Sequence, residues 1–318
     1  MSKRHIVFGA AGFIGSHLCD ELLNRGDNVV GVDNFLTGSR LHIDKLQGHP
    51  HFEFVEADIS LAGWPTSRLH GPIDSVLNFA SPASPTDFLR LAPEILDVGS
   101  AGTRFGLELA REFGAKYLQA STSEVYGEAQ VHPQREDYFG NVNSVGLRSA
   151  YDEAKRVGEA YCMAWHRGYG VDTRIMRIFN TYGPRMNIDD GRVFPTFIRQ
   201  CMADLPITIY GDGDATRSFC YVSDLVAGAL ALLDAPAGLN GIHEPFNVGN
   251  PDEVSILEVA HEIANIVPDC SGRVKFLPAR SGDPLTRRPD ITRAVELLGW
   301  TPIVSRHEGL VETVRSFA

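Results

Sequence analysis

The sequence predicts an α/β protein, a doubly wound parallel sheet of Rossmann type with a smaller C-terminal substrate-binding lobe. Three observations predict it. Short apolar strand-like runs alternate with amphipathic helical stretches through the first half. A glycine-rich turn joins the first run to the first helix. After Asn180 the elements shorten, punctuated by Pro184, Pro195, Pro206, Gly211 and Gly213.

The strand-like runs are His5–Phe8, Asn28–Val32, Phe52–Val55, Ser75–Phe79 and Lys116–Gln119. Their length and lack of alternation suit strands covered on both faces. Ile14, Leu18 and Leu22 recur at helical spacing, and Arg25-Gly26 closes that helix. A longer helix over about Tyr151–Gly168 leads to a sixth run, Asp172–Ile178. Phe246-Asn247-Val248 reads as a strand returning to the main sheet. Residues 1–180 are therefore expected to form the dinucleotide domain, rejoined by a segment near 222–265. Residues 181–318 are expected to supply a discontinuous lobe.

Composition narrows the function. The chain has 318 residues, 43% of them hydrophobic and 22% charged, which is ordinary for a soluble globular protein. A net charge of −11 argues against a nucleic-acid partner, though a local arginine cluster can still hold a phosphate. The longest apolar stretch, around Leu225–Leu233, is too short to span a bilayer, so no membrane partner is expected. The five cysteines show no C-x-x-C spacing, and the histidines are scattered, so neither a metal nor a disulfide framework is indicated. No targeting segment precedes the first run, and a reduced, cytoplasmic enzyme is the expectation.

Gly9-Ala10-Ala11-Gly12-Phe13-Ile14-Gly15 follows the first strand and opens the first helix. Glycines there permit a tight turn and let backbone N–H groups approach a pyrophosphate at a helix N-terminus. The G-x-x-G-x-x-G spacing is weak alone; strand before and helix after strengthen it. Asp33 ends the second strand, where a carboxylate accepts from adenosine ribose hydroxyls and repels a 2′-phosphate. That favours NAD over NADP as the cofactor. Asp58, after the third strand, is a candidate for adenine contact, with a plain loop role as the alternative.

Tyr151-Asp152-Glu153-Ala154-Lys155 places a tyrosine and a lysine on one helix face. A free tyrosine has a pKa of about 10 and is a poor base near neutrality. A lysine ammonium and a positive nicotinamide both favour the phenolate, which then takes a hydroxyl proton as hydride leaves the same carbon. Ser121-Thr122-Ser123-Glu124-Val125-Tyr126-Gly127 follows the fifth strand, at the sheet edge where ligands sit. Thr122 is a hydrogen-bonding candidate there, and Glu124 an acid, base or orienter.

Together these motifs resemble the extended short-chain dehydrogenase/reductase superfamily. More narrowly the chain resembles the UDP-glucuronate decarboxylases (UDP-xylose synthases). The resemblance is carried by Ala80-Ser81-Pro82-Ala83-Ser84-Pro85, Ser121–Gly127, Val131-His132-Pro133-Gln134, Glu136-Asp137-Tyr138, Tyr151–Arg156, Arg177–Pro184, Asp190-Gly191-Arg192-Val193 and Thr216–Leu225. It departs from the family pattern at Asp97-Val98-Gly99 and over Asn143–Ala150.

The resemblance implies a reaction and a site. Oxidation at C4 of UDP-glucuronate gives a 4-ketone, carbon dioxide leaves, and hydride returns to C4. Tyr151 is then the base and Lys155 its partner, with Thr122, Glu124 and Arg287 at the sugar. Gly9, Gly12, Phe13, Ile14, Gly15, Asp33, Asn34, Asp58, Ile59, Ala80, Tyr151 and Lys155 would surround NAD. Ser81, Pro82, Asn180, Arg185, Arg192, Val193, Arg217 and Arg287 would hold the UDP-sugar. Relatives pair through two helices, so the helices near Leu107 and Val157 imply a homodimer. A nucleotide-sugar 4-epimerase or 4,6-dehydratase is the alternative. A 4,6-dehydratase carries an aspartic acid where Ser123 stands, and a simple 4-epimerase a small residue in place of Glu124. A non-catalytic NAD-sensing protein, the reading from another class, would not need the Tyr151/Lys155 pair.

Overall fold

The computed structural model describes residues 2–61, 69, 71–279 and 286–318. Seven strands form its main sheet: β1 (Arg4–Phe8), β2 (Asn28–Asp33), β3 (Phe52–Glu56), β4 (Ser75–Asn78), β5 (Lys116–Thr122), β6 (Thr173–Ile178) and β7 (Pro245–Val248). All neighbours run parallel, in the order β7-β6-β5-β4-β1-β2-β3. The apolar runs become strands because helices cover both faces; every residue of β4 is buried. Phe246–Val248 does return to this sheet, in register with Met176–Ile178.

The chain reverses its direction of winding between β1 and β4. That switch point opens a crevice at the C-terminal strand ends. The glycine turn after β1 and the Ser121–Gly127 segment after β5 both meet it.

One face of the sheet is covered by the helices Phe13–Asn24 and Val222–Asp234, whose Leu18, Leu22, Leu225 and Leu230 pack with Val7, Leu77 and Phe246. The other is covered by Thr103–Phe113 and Ser149–Tyr169, whose Leu107 and Cys162 pack with Ile6, Val76 and Tyr117. Leu107 thus turns inward, while Val157 stays 40% exposed.

The remaining elements build a second core. Helices Val193–Met202, Ile256–Ile266 and Arg306–Phe317 enclose Phe197, Ile198, Val259, Ile263 and Leu310. A three-stranded sheet sets Thr216–Ser218 between Glu253–Ser255 and Thr286–Arg287. In it Arg287 stands in register beside Arg217.

The helix ahead of the Tyr151 helix is interrupted. Ala92–Asp97 gives way to a π-turn over Val98–Gly102 before Thr103–Phe113 resumes. Gly99 allows this close crossing, since a Cβ there would stand 2.6 Å from the Cβ of Ala154. The departure from the family pattern at Asp97-Val98-Gly99 therefore sits against the turn that joins Tyr151 to Lys155.

Candidate active site

A cavity of about 1000 Å³ lies over the switch point. It is large even against the usual ligand pocket of roughly 300–1,000 Å³. Gly9, Gly12, Phe13, Ile14 and Gly15 line one end; Thr122, Glu124, Tyr151, Lys155 and Arg287 line the middle. Ser81, Asn180, Arg185, Arg192, Val193 and Arg217 complete the wall on the lobe side.

The glycine turn fits a dinucleotide. A Cβ on Gly15 would overlap the carbonyl of Gly9, and one on Gly9 would lie 2.7 Å from the backbone of Phe79. Larger residues would therefore break the turn. Gly12 at the N-cap of Phe13–Asn24 offers no side chain to the first N–H groups, which leaves them for an anion.

Asp33 stands one layer behind the cavity wall. Its carboxylate accepts from Ala11 N at 3.0 Å and from Phe35 N at 2.8 Å, both residues of the wall. Burial pushes this carboxyl up, against those backbone donors. Asn34, Asp58, Ile59, Ala80 and Pro82 are not lining residues either. Asn34 donates to Asp58 at 2.9 Å, Ser60 donates to the other Asp58 oxygen, and Ile59 is buried against Gly102. Instead Phe35, Leu36, Thr37, Gly38, Ser39 and His42 line that end. Sequence reasoning missed them, although Thr37-Gly38-Ser39, separated from Asn34 by two residues, is a visible polar turn.

Tyr151 and Lys155 are both buried on the Ser149–Tyr169 helix. Burial pushes the Tyr151 phenol up to about 12, and a hydrogen bond with Thr122 works the other way. Burial also lowers the Lys155 ammonium to about 8. Lys155 Nζ lies 5.7 Å from the Tyr151 ring centre and donates to Ala120 O at 3.0 Å. Burial therefore disfavours the phenolate, and positive charge near the hydroxyl works against that.

Glu124 follows Thr122 on a short 3₁₀ turn capped by the Thr122 hydroxyl. It pairs with Arg287 on one side and with Arg148, at 2.8 Å, on the other. Arg287 also reaches Ser123 Oγ at 3.4 Å and Gly127 O at 3.3 Å. Arg148 and Phe88 are functional candidates that sequence reasoning missed. Phe88 stacks on Tyr151 with ring centres 4.7 Å apart, and the Arg148 guanidinium lies 5.0 Å from the Phe88 ring centre. The one available sign was position: Arg148 immediately precedes the Tyr-x-x-x-Lys helix.

The lobe side is basic although the whole chain is acidic. Arg185 adopts a positive φ of 71° and pairs with Asp20 of the first helix. Arg192 Nε donates to Asp190 at 2.6 Å, and Arg217 Nη1 to Thr216 O at 2.8 Å. Such a wall suits an anionic ligand bearing phosphates.

This geometry agrees with what the chain resembles among known proteins. Residues 5–249 match the model of the NAD dependent epimerase/dehydratase family. UDP-glucuronic acid decarboxylase 1 of Arabidopsis thaliana is 45% identical over 99% of this chain and 69% of its own length. UDP-glucuronic acid decarboxylase 1 of Danio rerio is 44% identical over 99% of this chain and 73% of its own. The chain belongs to the NAD dependent epimerase/dehydratase family, among its UDP-glucuronic acid decarboxylases.

Within that family the fold is shared beyond the decarboxylases. The crystal structure of a UDP-glucuronic acid 4-epimerase from Bacillus cereus, in complex with UDP-glucuronic acid and NAD, superposes with a TM-score of 0.88. It is 33% identical and covers 98% of each chain. The decarboxylase resemblance read from the sequence thus holds over nearly the whole chain. No group of acidic, histidine and cysteine side chains able to hold a metal ion occurs among the described residues. No described helix is long and apolar enough to cross a membrane.

Proposed function

We propose that this protein converts UDP-glucuronate to UDP-xylose and carbon dioxide, using NAD without net redox change. The observation that carries the reading is the ion pair between Glu124 and the buried Arg287, in the cavity that Tyr151 also lines. In this reading the Arg287 guanidinium meets the hexuronate carboxylate. Ser123, bonded to that same guanidinium, offers no strong acid for a dehydration.

Bound NAD supplies a hydride acceptor for C4 and then the donor that restores it. The protein supplies the rest. Tyr151 takes the C4 hydroxyl proton, helped by the Thr122 hydrogen bond and by the Lys155 ammonium beside its ring. Arg287 orients the C6 carboxylate. The new 4-ketone is β to that carboxylate, so the C5–C6 electron pair passes into a C4–C5 enolate as carbon dioxide leaves. C5 then takes one proton, and Tyr151 returns its own to O4. One proton is consumed for each carbon dioxide released.

Asn180, Arg185, Arg192, Val193, Arg217, Ser81 and Pro82 are proposed to hold the UDP moiety. Gly9–Gly15, Asp33, Asn34, Asp58, Ile59 and Ala80 are proposed to hold NAD. The division into a dinucleotide domain over 1–180, with a returning segment, and a substrate lobe over 181–318 is part of this reading. So is a homodimer: Leu96 and Val157, on adjoining helices, are 45% and 40% exposed. A cytoplasmic setting accords with the five free thiols. Incubation with UDP-glucuronate and NAD, with no reductant added, tests the reaction through carbon dioxide release.

A further inference from the structure

Arg287 sits at the end of the strand Thr286–Arg287. Among the described residues that strand pairs with Thr216–Arg217. Its side chain must meet Glu124, so the segment that follows has to be held in place as well. That segment is held by Gln134, whose exposure is only 1%.

Gln134 engages the segment after Arg287 with three groups. Its N–H donates to Arg288 O at 2.9 Å, and its carbonyl accepts from Asp290 N at 2.8 Å. Its side-chain Oε1 accepts from Arg288 N at 2.7 Å. The two backbone bonds complete a parallel bridge between Gln134 and Pro289, and the side chain adds a third bond on the same edge, to Arg288 N. Asn247 of β7 locks the join, donating to both Gln134 O and Asp290 O at 3.0 Å. Gln134 lies in the loop that leaves β5 by way of Glu124. Both members of the Glu124–Arg287 pair are thereby referenced to one loop.

We propose that Gln134 is a positioning residue, which fixes Arg287 for the carboxylate of the sugar. The proposal rests on the reading of UDP-glucuronate as substrate. Gln134 Nε2 donates to Val131 O at 3.0 Å, so its only side-chain acceptor is spent on the Arg287 segment.

Calorimetric titration of the full-length protein with UDP-glucuronate and with UDP separates this role from general stability. Gln134→Met keeps the size and removes the acceptor. It should weaken UDP-glucuronate binding by about tenfold, the scale of one hydrogen bond to a charged partner, and leave UDP binding unchanged. Gln134→Glu keeps an acceptor for Arg288 N–H and should bind UDP-glucuronate nearly as well as the wild type. Arg287→Ala should weaken UDP-glucuronate binding at least as much as Gln134→Met, and the double variant should be no worse than Arg287→Ala alone. Equal losses for UDP and UDP-glucuronate, or an effect that adds fully to Arg287→Ala, would overturn the proposal. So would Gln134→Glu binding as weakly as Arg287→Ala, which also decides the matter if Gln134→Met does not fold. Wild-type protein that binds UDP-glucuronate but releases no carbon dioxide would count against the reaction alone, and the binding comparison would still judge Gln134.

Discussion

Arg287, itself buried, forms an ion pair with Glu124, and Arg148 holds the other oxygen of the same carboxylate at 2.8 Å. Burial works to raise the Glu124 carboxyl, but the two guanidiniums outweigh it and hold it below its ordinary value. Glu124 is therefore a carboxylate that can orient or accept, and it is not a ready acid.

Glu124→Gln should lower carbon dioxide release sharply while leaving UDP binding nearly unchanged. Breaking a buried pair costs about 3–5 kcal/mol. One guanidinium keeps the amide oxygen while the other meets the amide NH2, which cannot accept, so a clear loss of stability of up to about that size is expected. Arg217→Ala should do the converse and weaken UDP binding together with UDP-glucuronate binding. Calorimetry with UDP beside a carbon dioxide assay resolves the two; an Arg217→Ala variant that binds UDP normally would remove Arg217 from the diphosphate site.

Asp152, next to Tyr151, should make stability depend on pH. Burial pushes its carboxyl up to about 7, and the negative charge of Glu124 adds to this, against Arg148 and Arg287. Glu153 on the same helix raises it further. Its Oδ1 is buried without a hydrogen-bond partner. The folded state thus keeps a proton that the unfolded chain loses near the ordinary carboxylate pKa of about 3.9. The resulting stability is fully present below that value and is lost as pH rises through about 7. Asp152→Asn cannot ionise, so it should gain on the wild type between pH 5 and 8 in denaturant midpoints. Parallel curves for the two proteins would show that Asp152 is ionised throughout.

These residues mark what a sequence can and cannot disclose. The glycine turn, the strand runs and the Tyr151–Lys155 spacing are local patterns, and each stands where periodicity places it. Asp33 was legible as the end of β2, but not its grip on Ala11 and Phe35, because that depends on how the turn folds back. Arg148 and Phe88 line the cavity, and Gln134 meets the segment after Arg287, through tertiary contacts between distant segments. No spacing rule announces such contacts. Leu107 shows the reverse case: the helix expected to pair turns that residue into the core.

Tyr151→Phe should reduce turnover by about 10²–10⁴, the usual range for loss of a general base. The ring should keep its place, since Phe88 stacks on it at 4.7 Å. UDP-glucuronate binding should change little. Near wild-type turnover would remove Tyr151 from the proton transfer.

Asp33→Ala should act on the cofactor. It removes the acceptor for two backbone N–H groups as well as the charge that excludes a 2′-phosphate. NAD affinity should fall by about tenfold or more, the scale of one charge-assisted hydrogen bond, and discrimination against NADP should relax. Fluorescence titration with both dinucleotides reads this directly. A wild type that prefers NADP would contradict the role read for Asp33 at the end of β2.

The carbon balance of UDP-glucuronate turnover tests the central claim most directly. Purified protein, NAD and UDP-glucuronate are incubated without reductant, and carbon dioxide, sugar nucleotides and NADH are quantified together. The account predicts one carbon dioxide for each UDP-xylose formed, with no accumulating NADH. Formation of the 4-epimer, UDP-galacturonate, with no carbon dioxide released would contradict it and identify an epimerase.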